Sequence, residues 1–502
     1  MALLTYMKIS KLNLDDELVT ISKNAPASLN RYIYYPDHLV RMPGPFPNTG
    51  LISNIVQNAN ILCEPAFDSF LSGVFRARAQ RGAKVLDQSV GTFLSRLFNK
   101  SITDNLASAV IHGIYAGDLY NLSARSLFPV LWDIDGNDSF NRDLYRYGSG
   151  SRSYRPKPLV ELLSFLWDRS SSFDQHIRGK VPKLDNTSVF TFKRGIQQLA
   201  TALEDYLRAQ SRVTLKLGTT VTKLAGSRSH LDKISVSTAP NTTSTEPSST
   251  SVRAYDYVIS TLSAPTMSRV LEFSHPSASK AFSAHDQAVN VMVVNLFYPQ
   301  PDLLPVSGFG YLIPRSTPLG QNGECALGVI FGTDSSPGQD TAPGTKLTVM
   351  MGGHWWNGIP ISDLPDPHEA TKMARAILER HLNITAEPII AEARLQTNAI
   401  PQYRVGHPFR LLQIERSLNS TTTMSPTAPP SGRLRLAGSW YSGVGVNDCI
   451  TSARMAVEGI RQGHLDRAMD LYLHGTHPLS WILEERRGGE SKFYERVPIS
   501  ST

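Results

Sequence analysis

Residues 434–450 read LRLAGSWYSGVGVNDCI. A short apolar run, Leu434 to Ala437, meets Gly438. Gly443 and Gly445 follow, and Asn447-Asp448 leads into a helical pattern. Strand, glycine turn and helix start, in that order, bring backbone N–H groups up to something anionic. The first N–H groups of a helix have no intrahelical partner and carry the positive end of its dipole. Glycine in such a turn lets the backbone approach closely and adopt positive φ. The stretch reads as one half of a ligand site in an α/β chain.

The chain around it has 502 residues, enough for two or three domains and a large core. Its hydrophobic share of 41% and charged share of 19% are those of a globular protein. The net charge of +7 is not accompanied by an arginine-rich helix, zinc-finger spacing or an aromatic–basic motif, so no nucleic acid is expected. The basic excess suits a spread-out surface charge, an anionic membrane surface or a carboxylate-bearing ligand. Cys63, Cys325 and Cys449 lie far apart with no CxxC, which argues against a disulfide framework and against a metal site. No apolar run reaches the roughly 18 residues that span a bilayer. The N-terminal MALLTYMKISKLNLDDELV is not a signal peptide, and Asp15, Asp16 and Glu17 spoil it as a transit peptide. It reads as an amphipathic helix from the inside of a domain.

From about 60 to 205 apolar residues recur at three- and four-residue steps, predicting helices over 64–78, 89–117 and 157–168. From about 213 to 360 strands dominate, clearest at Val213 to Leu217, Lys233 to Ser237, Val289 to Tyr298 and Leu347 to Met351. Helical pattern returns at 367–382 and after Asp448. Residues 237–251 and 417–432 are Ser/Thr/Pro-rich and read as flexible surface insertions. The mixture is α/β plus α+β.

Three more segments share the character of the first. VFTFKRGIQQLATALEDY (189–206) puts Gly195 between a strand and a helix. YDYVISTLSAP (255–265) is a strand ending in a Ser/Thr turn, and TNAIPQYRVGH (397–407) is a polar turn before a helix. Taken with NRYIYYPDHLVRMP (30–43), SAVIHGIYAGDLYNLSARSLFPVLWD (108–133), LPVSGFGYLIP (304–314) and LTVMMGGHWW (347–356), the chain resembles the protoporphyrinogen oxidase family of the flavin amine oxidase superfamily. The resemblance runs in order over nearly the whole length. It implies an FAD/NAD(P)-binding-like domain (N-terminally truncated), a mixed-sheet substrate domain and a helical membrane-associating domain. The expected divisions are 1–62 substrate-domain part, 63–185 helical membrane-associating domain, 186–265 FAD-binding part, 266–430 substrate-binding domain and 431–502 C-terminal FAD-binding part.

The same resemblance implies site residues. Val444, Gly445 and Val446 would contact the isoalloxazine end of FAD, where a helix dipole suits the negative charge of a reduced flavin. Val221 would hold the adenine end, although a buried strand valine is the plain reading of that position. Arg31 would pair with a substrate propionate, as a planar bidentate donor does. Phe309, Gly310 and Leu312 would sandwich the pyrrole rings, and Met350 would line the far wall. A surface arginine and ordinary core residues are the plain readings of these. Pro408 follows His407 where the family commonly has Trp, so that contact is expected to be altered. No acid–base catalyst stands out, and His112 and His407 read as structural.

The implied activity is FAD-dependent oxidation of protoporphyrinogen IX to protoporphyrin IX, with oxygen as acceptor. The implied partners are a membrane surface and a second copy in a homodimer, at the face of the mitochondrial inner membrane. The alternatives are a non-catalytic porphyrin-binding protein and another amine oxidase, for which Trp440-Tyr441 would be a flavin-facing aromatic pair. No GxGxxG is present: Gly148-Ser149-Gly150 is followed by Ser153, and Gly308-Phe309-Gly310 by Ile313. The first βαβ unit is therefore expected to be absent, with weak FAD binding, exposed apolar sheet edges and poor solubility for the chain as written.

Overall fold

Burial alternates strictly along residues 345–351, and nearly so along 288–298, which is the mark of strands with one face packed and one face open. In a computed structural model describing residues 12–44, 51–67, 85–135, 186–241, 250–419, 428–461 and 463, these are the central strands of a mixed sheet. The strands in chain order are β1 (Leu18–Ser22), β2 (Tyr32–Tyr34), β3 (Leu39–Arg41), β4 (Thr187–Phe192), β5 (Thr219–Gly226), β6 (Ile234–Pro240) and β7 (Ser251–Tyr255). They continue as β8 (Val258–Ser260), β9 (Ala288–Tyr298), β10 (Gly310–Leu312), β11 (Ala326–Phe331), β12 (Thr345–Gly352), β13 (Ile390–Pro401) and β14 (Leu434–Leu436).

The seven-stranded sheet runs β13-β9-β12-β11-β10-β2-β3. All its pairings are antiparallel except β10 with β2. One face is sealed by the helix Pro367–Leu382. Ala370, Ala374, Ile377, Leu378 and Leu382 recur at helical spacing and pack on Met292, Val294, Leu296, Val329, Leu347 and Val349. Burying each such Leu, Ile or Val contributes about 1.5–3 kcal/mol. Asp366 caps this helix, accepting from the N–H groups of His368 (2.8 Å) and Glu369 (2.9 Å). Asp366→Ala is expected to lower stability, read as a downward shift in the urea midpoint without a change in slope.

A second core joins the sheet β5-β6-β7, the parallel pair β14-β8 and the helices Ala264–Leu271, Pro276–Ser283 and His407–Asn419. A third gathers the short helices between Val90 and Trp132. No helix among the described residues is long and apolar enough to cross a membrane.

The expected α/β plus α+β mixture and the mixed sheet are present, and so are the helical patterns at 89–117 and 367–382. Four readings change. Leu18–Ser22 is a strand paired antiparallel with β4, not the end of an amphipathic helix, because Leu18↔Phe192 and its neighbours complete a two-stranded ladder. Val213–Leu217 alternates like a strand but has no ladder partner among the described residues. Val213 and Leu217 are exposed, and pairing begins only after Gly218, which turns the chain at φ +61°. Ser237–Pro240, read as part of an insertion, pairs with β5. Thr397–Pro401, read as turn, is the end of β13, with an irregularity between Gln396 and Ile400 around Asn398 at φ +49°. The expectations for 1–11, 68–78, 157–168, 242–249 and 420–427 lie outside the described residues.

Candidate active site

The open face of the seven-stranded sheet can be read from its register. Arg394 pairs with Val293, Val293 with Met350, Met350 with Gly328, Gly328 with Leu312, and Leu312 with Ile33. Paired residues share a face, so this row puts Leu312 and Met350 side by side across Gly328. Two residues along, the row Glu392, Asn295, Thr348, Ile330 and Gly310 lies on the same face. In the parallel β10–β2 register Tyr311 meets Tyr32, which places Arg31 beside Gly310 at the end of that second row. The Arg31 guanidinium lies over the Phe309 ring, 5.6 Å from its centroid. Three separated segments thus bring Arg31, Gly310, Leu312 and Met350 to one surface, with Phe309 against Arg31 at its edge.

The glycines there are required by the packing. Gly310 has φ +136°, and a Cβ on it would stand 2.1 Å from the Val329 carbonyl oxygen. A Cβ on Gly328 would stand 2.6 Å from the Tyr311 carbonyl oxygen. The surface is overhung by the helix Ser108–Tyr115, where a Cβ on Gly113 would meet Leu312 Cδ2 at 2.8 Å. On that helix Val110 and Ile114, four residues and so about one turn apart, are exposed. Sequence reading missed this wall. Its signal was present as Gly113 in an apolar helical pattern, but only the contact with Leu312 shows that this helix lies against the sheet. It also missed Thr348 and Asn295, whose side chains hydrogen-bond at 2.7 Å and form a polar spot on the open face.

On the overhanging helix and beside the platform lies a largely buried imidazole pair. His112 Nδ1–H donates to the Ile313 carbonyl (2.7 Å), so its Nε2 accepts from His354 Nε2–H (2.8 Å), a tautomer assigned from the partners. Burial pushes His112 down to about 4, and burial beside His112 pushes His354 down as well. The pair is neutral at physiological pH, and both rings pack against Trp355.

The glycine turn lies at the second core. Gly438 (φ +106°) and Gly443 (φ +118°) bracket the short helical turn Ser439–Ser442, and the helix Val446–Arg461 follows. Gly443 makes room for a side chain of this same motif, since a Cβ there would meet Asp448 Cγ at 2.6 Å. The Asp448 carboxylate accepts from Gly445 N–H (3.2 Å), so it caps its own helix, and burial raises its pKa. Gly445 N–H is therefore committed inward. The exposed first turn, beginning at Val446, is the part of the motif open to an anionic ring edge. Gly445 is itself exposed and Val444 half-buried. These residues fit the ring end of a flavin: an open helix N-terminus with no side chain between Gly443 and Val446 except Val444. Val221 is half-buried on β5 and packs into the core that holds Trp440 and Tyr441, next to this turn. His407 is buried and stacks on Tyr403, consistent with a structural role. Among the described residues no cluster could hold a metal ion.

The chain matches the family model of flavin containing amine oxidoreductases over residues 3–461. It is 32% identical over 447 residues to a protoporphyrinogen oxidase of Schizosaccharomyces pombe, covering 88% of this chain and 80% of that protein. It is 28% identical over 459 residues to the human protoporphyrinogen oxidase, covering 91% and 84%. Among solved structures, an Exiguobacterium protein described as a candidate protoporphyrinogen oxidase superposes with a TM-score of 0.62 at 17% identity, covering 92% of this chain and 85% of that one, which shows the shared fold. The chain belongs to the flavin-containing amine oxidoreductases and groups among them with the protoporphyrinogen oxidases.

Proposed function

We propose that this chain is an FAD-dependent oxidoreductase that converts protoporphyrinogen IX to protoporphyrin IX in haem biosynthesis, with oxygen as acceptor. The observation that carries the reading is the open sheet face, apolar through Leu312, Ile330 and Met350 and ending in a cation, Arg31, beside Phe309. That is the chemistry a largely apolar macrocycle with carboxylate tails requires. When bound, FAD supplies the hydride acceptor, which oxygen reoxidises over three rounds with release of hydrogen peroxide.

The residues of this chain supply orientation. Arg31 anchors a propionate. Phe309, Gly310 and Leu312 seat the pyrrole rings, with Met350 on the far wall. Val444, Gly445 and Val446 meet the ring end of the cofactor, and Val221 meets its adenine end. Segments 1–62 and 266–430 form the substrate domain, 63–185 the membrane-associating domain, and 186–265 with 431–502 the cofactor domain. The chain works at a membrane surface, peripheral to the mitochondrial inner membrane in this reading, and a homodimer is compatible with it.

The test uses the full chain supplied with FAD and protoporphyrinogen IX, following protoporphyrin fluorescence and oxygen uptake together. Flavin-loaded protein that yields no protoporphyrin above the autoxidation blank would sink the reading. Arg31→Ala is expected to raise KM about tenfold or more with a smaller change in kcat. It removes a charge-assisted contact made equally in ground and transition states.

A further inference from the structure

Both ends of the turn Ser439–Gly443 are held by side chains from outside its own unit. Tyr403 lies just beyond Pro401, the last residue of β13, so it follows directly from an edge strand of the seven-stranded sheet. Its hydroxyl donates to the Ser439 carbonyl and accepts from the Gly443 N–H at 2.8 Å. The phenol is buried and lies flat on His407, with ring centroids 4.0 Å apart and planes 7° apart. Between those two anchor points the Trp440 carbonyl accepts from His285 Nε2–H at 2.7 Å. His285 is buried three residues before β9, the neighbour of β13 in the sheet.

We infer that Tyr403 is a positioning residue: its hydroxyl pins the glycine turn to the substrate sheet and so fixes where residues 444–446 meet the cofactor ring relative to the open sheet face. The inference rests on the flavin reading above and adds the residue that sets the spacing between the two halves of the site. Two features make the hydroxyl suited to this. It serves as donor and acceptor at once, so it fixes two points of the turn and thereby its orientation. The Gly443 N–H it serves is partly buried, and a buried donor left unpaired costs more than an ordinary hydrogen bond contributes. Gly443, at φ +118°, is the last residue of the turn before Val444, so movement there passes directly to the motif. His285 holds the middle of the turn as a second clasp from the same sheet.

Tyr403→Phe in the full chain keeps the ring and its stack and removes the two hydrogen bonds. FAD affinity, measured by quenching of flavin fluorescence, is expected to weaken about ten- to a hundredfold. The visible band of the bound flavin is expected to shift, and kcat to fall more than KM rises. Tyr311→Phe is the control. Tyr311 is also buried, its hydroxyl meets His381 Nδ1 at 3.1 Å, and it lies on the opposite face of the sheet. It should lower thermal stability and leave FAD affinity within about twofold.

If Tyr403→Phe binds FAD as tightly as the unmutated chain with an unshifted band, the inference is wrong and the flavin reading stands. An equal loss in Tyr311→Phe also overturns it, because the effect would then be general loosening. If the unmutated chain takes up no FAD in the same titration, the flavin reading fails and takes the inference with it. Should Tyr403→Phe not fold, His285→Phe removes the other clasp alone. It is expected to weaken FAD about three- to tenfold, and unchanged affinity there overturns the inference.

Discussion

Gly310→Ala is expected to lower stability by about 3 kcal/mol or more and to abolish substrate binding in whatever folded protein remains. The new methyl group would stand 2.1 Å from the Val329 carbonyl oxygen and 2.9 Å from Ile330 Cα. Both are backbone atoms of β11, so neither can rotate away as a side-chain tip could. Relief requires β10 to lift off β11, and β10 also holds β2 in the sheet. The backbone conformation, at φ +136°, is in addition one that alanine rarely adopts. Gly320→Ala is the matched comparison, because Gly320 has ordinary φ and nothing within 4 Å of an added Cβ. Thermal unfolding should separate the two variants by many degrees. If Gly310→Ala melts within about a degree of Gly320→Ala, the close approach of β10 and β11 is not as described.

Mild acid is expected to destabilise the protein well above the range where carboxylates titrate. His112 and His381 are each held neutral by burial, with folded values of about 4. An unfolded histidine titrates near 6.5. Below pH 6.5 the unfolded chain therefore binds protons that the folded chain refuses, and stability falls as pH drops from about 6.5 toward 4. Above pH 6.5 the stabilisation is complete. Between pH 7.5 and 5 the loss is about 2 kcal/mol for each of the two, and His354, also depressed, adds to it.

The geometry agrees with the direction. His381 Nε2–H donates to the Gln321 carbonyl (2.8 Å) and Nδ1 accepts from the Tyr311 hydroxyl (3.1 Å), so a proton added at Nδ1 would displace that hydrogen bond. In His381→Gln the amide can reproduce both bonds without titrating, and the drop in Tm between pH 7.5 and 5 should shrink. An unchanged drop in that variant would show that His381 titrates freely in the folded protein.

Much of the sheet was legible because burial on one face imprints a period of two on residues such as Val289 to Tyr298 and Leu347 to Met351. The helix at 367–382 was legible to its ends because Asp366 and Pro367 open it and Asn383 closes it at φ +56°. Val213 to Leu217 carries the same period of two yet forms no strand, since periodicity reports what a segment could bury and not whether a partner lies beside it. The site residues were legible one by one through resemblance. Their arrangement was not, because register is a non-local property: nothing in residues 30–34 alone says that they run parallel to 310–312. The contacts of Tyr403 with Ser439 and Gly443, and of His112 with His354, were hidden for the same reason. Asp448 was visible as a helix-start residue, but its turn back onto Gly445 depends on a cap geometry that the spacing permits without requiring.

The parallel β2–β10 seam has a consequence for how the protein is made. The Asn30 side chain meets the Ser307 carbonyl across 277 residues of sequence, and Arg31 meets Phe309 beside it. A ribosome adding about 5–20 residues per second needs roughly a quarter of a minute to a minute to cover that distance. Throughout that interval the YIY strand, buried on every residue once folded, has β3 on one edge but waits for β10 on the other. The substrate anchor thus cannot be assembled until about three fifths of the chain has been made, and an early-made apolar segment stays open on one edge until then.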